Sequence, residues 1–157
     1  MNYKDLDIDF IQRTLKLISQ YNEQMKNYPF EDQLNHTLLI NCLLGLIIFP
    51  KERSLSFLPK LRLTKQFLSK EMGINDLYLN TDIVDLKDLI IALRNSIAHC
   101  DIEFKSENDK NLIDRIIFSD AQKGVGYTVA NFKSEELLPF IQYYANYLLS
   151  NLQKHRK

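Results

Sequence analysis

Apolar residues return every third or fourth position from the start of the chain. Phe10, Ile11, Leu15, Ile18 and Met25 share one side of a helix predicted over Ile8 to Asn27. The tripeptide Asn27-Tyr28-Pro29 ends it, because the residue before a proline is pushed out of helical geometry. A second helix is predicted from Glu31 to Phe49, stopped by Pro50. It is apolar nearly all round from Leu38 onward, the pattern of a helix at the buried centre of a bundle. Gly45 in its middle costs about 1 kcal/mol of helix propensity relative to alanine, so close approach of another backbone is expected there.

Residues 50–81 lose the period and are punctuated by Pro50, Pro59 and Gly73. One short helix, Thr64 to Glu71 with Thr64 as N-cap, is expected inside this irregular connector. A longer helix follows up to His99. Thr81 or Asp82 is the expected cap, and Asp82, Asp85 and Asp88 crowd its first half, where the helix dipole favours anions. After His99 the period shortens to two. Residues 101–106 and 113–121 read as strands, and residues 124–132 as a turn plus a strand. Ser134 then reads as the N-cap of a last helix, with Glu135 and Glu136 in its first turn and Pro139 near its start. The whole is a mainly α fold: a bundle of four to five helices, with a β-hairpin or three-stranded antiparallel sheet at 101–133 before the last helix.

At 157 residues the chain suits a single domain with a real core. Four Gly and four Pro argue against a many-turned β-sandwich. The longest apolar run, residues 38–49, is 12 residues broken by Asn41, too short to span a bilayer. The first ten residues hold no apolar signal core. A cytoplasmic protein is expected, with Cys42 and Cys100 as free thiols. No CxxC or HExxH is present, so neither a metal nor another cofactor is expected. The formal net charge of zero counts against a protein that coats nucleic acid. The charge is nonetheless segregated. Residues 51–70 carry Lys51, Arg53, Lys60, Arg62, Lys65 and Lys70 against Glu52, whereas 71–90 carry five acids against Lys87. The basic run reads as a solvated linker or as an electrostatic footprint for RNA or an acidic partner.

Placed on a helical wheel, Leu86, Leu89, Ile90, Leu93 and Ile97 fall within one stripe of about 100°. Opposite this core stripe, Ile91 and the small Ala98 lie among Arg94, Asn95 and His99, within an arc of about 140°. A merely solvated face carries more Lys and Glu. This one suits the approach of another helix, and a twofold dimer would bring two copies of the polar set together. By spacing alone, Arg94 and His99 read first as ordinary cations near a helix C-terminus.

The stretch Arg94-Asn-Ser-Ile-Ala-His99 resembles the R-x(4–6)-H motif of HEPN domains, with a polar residue just after the arginine. Residues 41–52, residues 90–104 and the strands before the last helix resemble a bacterial, plasmid- and genome-borne HEPN subgroup, over about residues 5–152. The resemblance implies a small helical protein that homodimerises through the motif-bearing helix. It implies a metal-independent endoribonuclease of toxin–antitoxin or defence type, with Arg94 and His99 as the catalytic pair and Asn95 as their support. RNA and a cognate antitoxin are the implied partners. Other HEPN domains are inactive binding modules, and that alternative stands beside the enzyme.

The chemistry is coherent. Metal-free RNA cleavage uses the 2′-OH as nucleophile. It needs a group that exchanges a proton near neutrality, as an imidazole does, and a fixed cation on the phosphate, as a planar guanidinium supplies. Ile91, Arg94 and Ala98 are the expected dimer contacts, and Lys51 and Arg53 are candidate RNA-backbone contacts. His36, beside the apolar run, reads as structural. Asp101 and Glu103 read as solvated strand-edge residues. The eight Tyr and nine Phe sit mostly at core spacing, with no aromatic platform for bases apparent.

Overall fold

The computed structural model describes residues 5–29, 32–48, 60–107 and 112–155. In chain order these form α1 (Leu6–Met25), α2 (Asn35–Ile48), a short α3 (Lys65–Phe67) running into a π-turn (Leu68–Met72), β1 (Tyr78–Leu79) and α4 (Leu86–Ala98). Next come β2 (Ile102–Lys105), β3 (Arg115–Ser119), β4 (Thr128–Lys133), a 3₁₀ turn (Ser134–Glu136) and α5 (Leu137–His155). The fold is helix-dominated but carries a four-stranded antiparallel sheet in the order β1-β4-β3-β2. The expected hairpin or three-stranded sheet is therefore too small. The extra strand, β1, precedes the motif-bearing helix, so the sheet is not wholly an insertion before the last helix. Two residues give too short a run for a period of two to register.

Two compact units divide the chain: α1, α2 and most of α5 form one, and residues 60–140 lie in the other. In the first, the apolar run of α2 is interior as its pattern required, with Leu43, Leu46 and Ile47 fully buried. A Cβ at Gly45 would lie 2.9 Å from Cζ of Phe10 on α1. The glycine thus makes room for an aromatic ring and not, as expected, for a second backbone. Tyr144 of α5 is also fully buried here. Its hydroxyl points at the Leu46 carbonyl oxygen at 3.5 Å, and burial pushes its phenol pKa far up. Cys42 is buried, which raises its thiol pKa, and His36 is half-buried, which lowers that of its imidazole.

The second unit is a sheet with α4 against β3 and β4. Phe118 and Phe132 meet edge to face at 5.9 Å, and Phe132 meets Phe140 at 5.1 Å, the offset geometries that aromatic quadrupoles favour. Thr64 caps α3 as the sequence predicts, its side chain accepting from the Phe67 amide. The cap of α4 lies further along than predicted. Asp85, not Thr81 or Asp82, accepts from the Asp88 amide, and Asp88 in return accepts from the Asp85 amide. This is a capping box in which a second aspartate replaces the usual glutamate. Ser134 opens the 3₁₀ turn and does not cap α5, and Pro139 is the third residue of that helix. Glu136 is buried, and its Oε1 accepts the amides of Asn75 and Asp76 at 2.8 and 2.7 Å. No helix among the described residues is long and apolar enough to cross a membrane.

Candidate functional site

The two faces that the wheel assigns to α4 are the two faces it has. Leu86, Leu89, Ile90 and Leu93 are fully buried and Ile97 nearly so. On the opposite side Asn95, Ala98 and His99 are exposed, Arg94 is half-buried, and Ile91 keeps 42% of its surface. Asn95 and His99 are one turn apart and therefore lie on the same side of the helix. Among the described residues, the side chains of Arg94, Asn95 and His99 make no hydrogen bond or ion pair. A cation, an amide and an imidazole thus stand together facing outward, engaged with nothing among the described residues.

One exposed apolar residue beside this helix was not singled out by the sequence reading: Val84, the residue before the N-cap Asp85, is 52% exposed. Lys51 and Arg53 lie outside the described residues. Of the same basic run, Lys60, Arg62, Lys65 and Lys70 are exposed.

His99 stands at the helix end, where the sequence pattern placed it, one residue past the last helical position. It is the C-cap, with φ −97° and ψ 2°. Cys100 follows in the left-handed region at φ 58°. Its amide donates to the Ile97 carbonyl at 3.1 Å, and the Asp101 amide donates to the Ser96 carbonyl at 2.8 Å. That pair of bonds is a Schellman ending, in which the left-handed position is ordinarily glycine. Asp101 is more than a solvated edge residue. Its carbonyl accepts the Ser119 amide at 2.9 Å and its carboxylate accepts the Ala121 amide at 3.0 Å. The backbone that carries the imidazole is therefore fixed between a helix end and a sheet.

The left-handed backbone costs a residue with a Cβ roughly 1–2 kcal/mol, and the exposed Cys100 side chain offsets little of it. Cys100→Gly is accordingly expected to stabilise the protein by about 1 kcal/mol and to raise its melting temperature by about 3 °C, read by thermal unfolding. An unchanged or lower temperature would contradict the strain assigned to this position.

Elsewhere in the sheet, Lys105, Arg115 and Lys133 stand at one register level across β2, β3 and β4. Like charges so placed repel, and Asp76 answers two of them, reaching Lys133 at 2.7 Å and Arg115 at 3.4 Å. The hydrogen bond and charge of Lys133 hold the Asp76 carboxyl below its ordinary pKa. No group of three or more metal-ligating His, Cys, Asp or Glu converges among the described residues.

A helix-dominated protein whose penultimate helix turns an arginine–histidine pair outward has the general character of a HEPN domain. The family model described as HEPN pEK499 p136 matches residues 1–155, and the chain belongs to that HEPN family. The chain matches no curated protein and no solved structure.

Proposed function

We propose that this protein is a metal-independent endoribonuclease that works as a homodimer, as a toxin or defence effector. The observation that carries this reading is the outward, unpartnered placement of Arg94, Asn95 and His99 on the helix that bears the family's motif. In the proposed reaction the 2′-oxygen attacks the adjacent phosphorus and the bond from phosphorus to the 5′-oxygen breaks. One imidazole takes the 2′-OH proton. Protonation of the leaving 5′-oxygen, by the symmetry-related imidazole or by water, completes the step. Arg94 stays charged and donates in a planar fork to the phosphate as negative charge grows there. Asn95, one turn before His99, orients the imidazole or the phosphate. The products are a 2′,3′-cyclic phosphate and a 5′-OH.

The dimer forms along Ile91 and Ala98, with Arg94 beside them. Two copies of the polar set then border one cleft across the twofold axis. Lys51 and Arg53 remain proposed backbone contacts, and a cognate antitoxin a proposed partner. The test incubates purified protein with total RNA in excess EDTA and weighs wild type against Ala98→Arg by sedimentation. Cleavage with cyclic-phosphate ends, and loss of both dimer and cleavage in Ala98→Arg, is the expected result. RNA binding without cutting favours the alternative, an inactive HEPN module. An intact Ala98→Arg dimer would move the interface elsewhere.

A further inference from the structure

The turn between β3 and β4 joins the Arg–His face to a second feature. Asp101, two residues after His99, holds the Ala121 amide at the start of that turn. From Lys123 onward the same turn borders an opening of about 550 Å³, closed on its other side by Tyr78, Asn80 and Asn131. All of these residues lie within residues 60–140.

Three observations give the opening a chemistry. First, the Asn131 Oδ1 is buried and accepts from no donor among the described residues. A central strand that keeps a polar atom in this state forgoes stability that an apolar side chain of the same size would supply. Second, Tyr78 is the cross-strand neighbour of Asn131 and is 50% exposed, so it presents an uncovered ring beside that amide. Third, Lys123 is fixed at the rim. Its Nζ lies 5.0 Å from the Tyr127 ring centre and 3.4 Å from the Tyr127 hydroxyl, which donates to Asp82 at 2.7 Å. The glycines at 124 and 126 have positive φ and open space where a Cβ would stand, so the backbone of the turn is uncovered on that side.

A planar group with a hydrogen-bond donor beside an acceptor, attached to an anion, satisfies all three. Every nucleobase offers such an edge, and an asparagine amide matches it with one acceptor and one donor. We propose that the opening is an accessory site for one unpaired nucleotide of an RNA strand, with its base stacked on Tyr78 and its edge read by Asn131 once that amide turns toward the opening. Lys123 faces the phosphate. The site rests on the RNA reading of the α4 face and adds to it a place where the strand is gripped beyond the scissile phosphate.

The test is fluorescence anisotropy of labelled single-stranded oligoribonucleotides, in full-length protein carrying His99→Ala so that nothing is cut. Tyr78→Ala is expected to weaken binding about tenfold, the effect of losing one stacked base. Asn131→Leu removes the orphan acceptor at nearly constant volume. It is expected to be at least as stable as its parent by thermal unfolding, yet to bind several-fold more weakly. Affinities within twofold of the parent for both variants, in protein whose wild type cleaves RNA, would overturn the accessory site and leave the nuclease standing. Tyr78-dependent binding by a protein that never cleaves would support the site and end the nuclease. Binding of no oligoribonucleotide at all would remove both.

Discussion

His99→Ala is expected to slow RNA cleavage by about 100- to 10,000-fold, the range for losing one proton-transfer group. Arg94→Ala should cost about 100- to 1,000-fold, as for removal of a donor to developing oxyanion charge. Arg94→Lys should recover part of that loss, because it restores charge without the planar fork. None of the three should alter the far-ultraviolet circular dichroism or the melting temperature appreciably. The reason is positional: the core side of α4 is filled by Leu86, Leu89, Ile90 and Leu93, and neither His99 nor Arg94 holds a side-chain partner among the described residues. Rates are read with a defined RNA under single-turnover conditions in EDTA. Full activity in His99→Ala would remove the imidazole from the mechanism. A collapse of the melting temperature would show instead that the face is structural.

The second large effect is on stability. Glu136→Ala is expected to destabilise the protein by about 2–3 kcal/mol, because it removes a charged acceptor from the amides of Asn75 and Asp76. Glu136→Gln keeps an acceptor oxygen in the same place and should lose less. Urea unfolding measures both. Equal midpoints for Glu136→Ala and wild type would mean that water replaces the carboxylate without penalty. The Oε2 of Glu136 is buried without a partner among the described residues, so the carboxylate also carries a desolvation cost. Relief of that cost in Glu136→Ala offsets part of the loss.

The parts of this fold that a periodic pattern specifies were legible in the sequence. The core stripe of α4 and its opposed polar face follow from spacing alone, because one side of a helix packs and the other does not. The interior character of α2 follows likewise from its unbroken apolar run. What local pattern does not specify was misread. Three aspartates at 82, 85 and 88 each satisfy the chemistry of a helix start, and only the closed reciprocal bonds of Asp85 and Asp88 select one. Glu136 fits the acidic first turn of a helix, yet its carboxylate serves amides about 60 residues away in sequence. β1 owes its existence to pairing with Asn131 and Ala130 of β4 and not to any preference in its own two residues. With β1 unseen, Tyr78 was one aromatic among many and the neighbouring Asn131 had no context. At the α4 face the residue types and the helix end near His99 were readable, but the bonds that close that end were not. The left-handed Cys100 that ends the helix is a residue that rarely adopts that conformation.

The separation of the two faces of α4 has a bearing on how such a chain can change over time. Asn95 and His99 are exposed and Arg94 is half-buried away from the core stripe, so exchanging them is expected to exact little toll on folding. On the proposed reading, a single nucleotide substitution in the codon for His99 would leave a protein that folds and pairs as before but no longer cuts. An active enzyme and its inert counterpart would then be immediate neighbours in sequence space, with no barrier of stability between them.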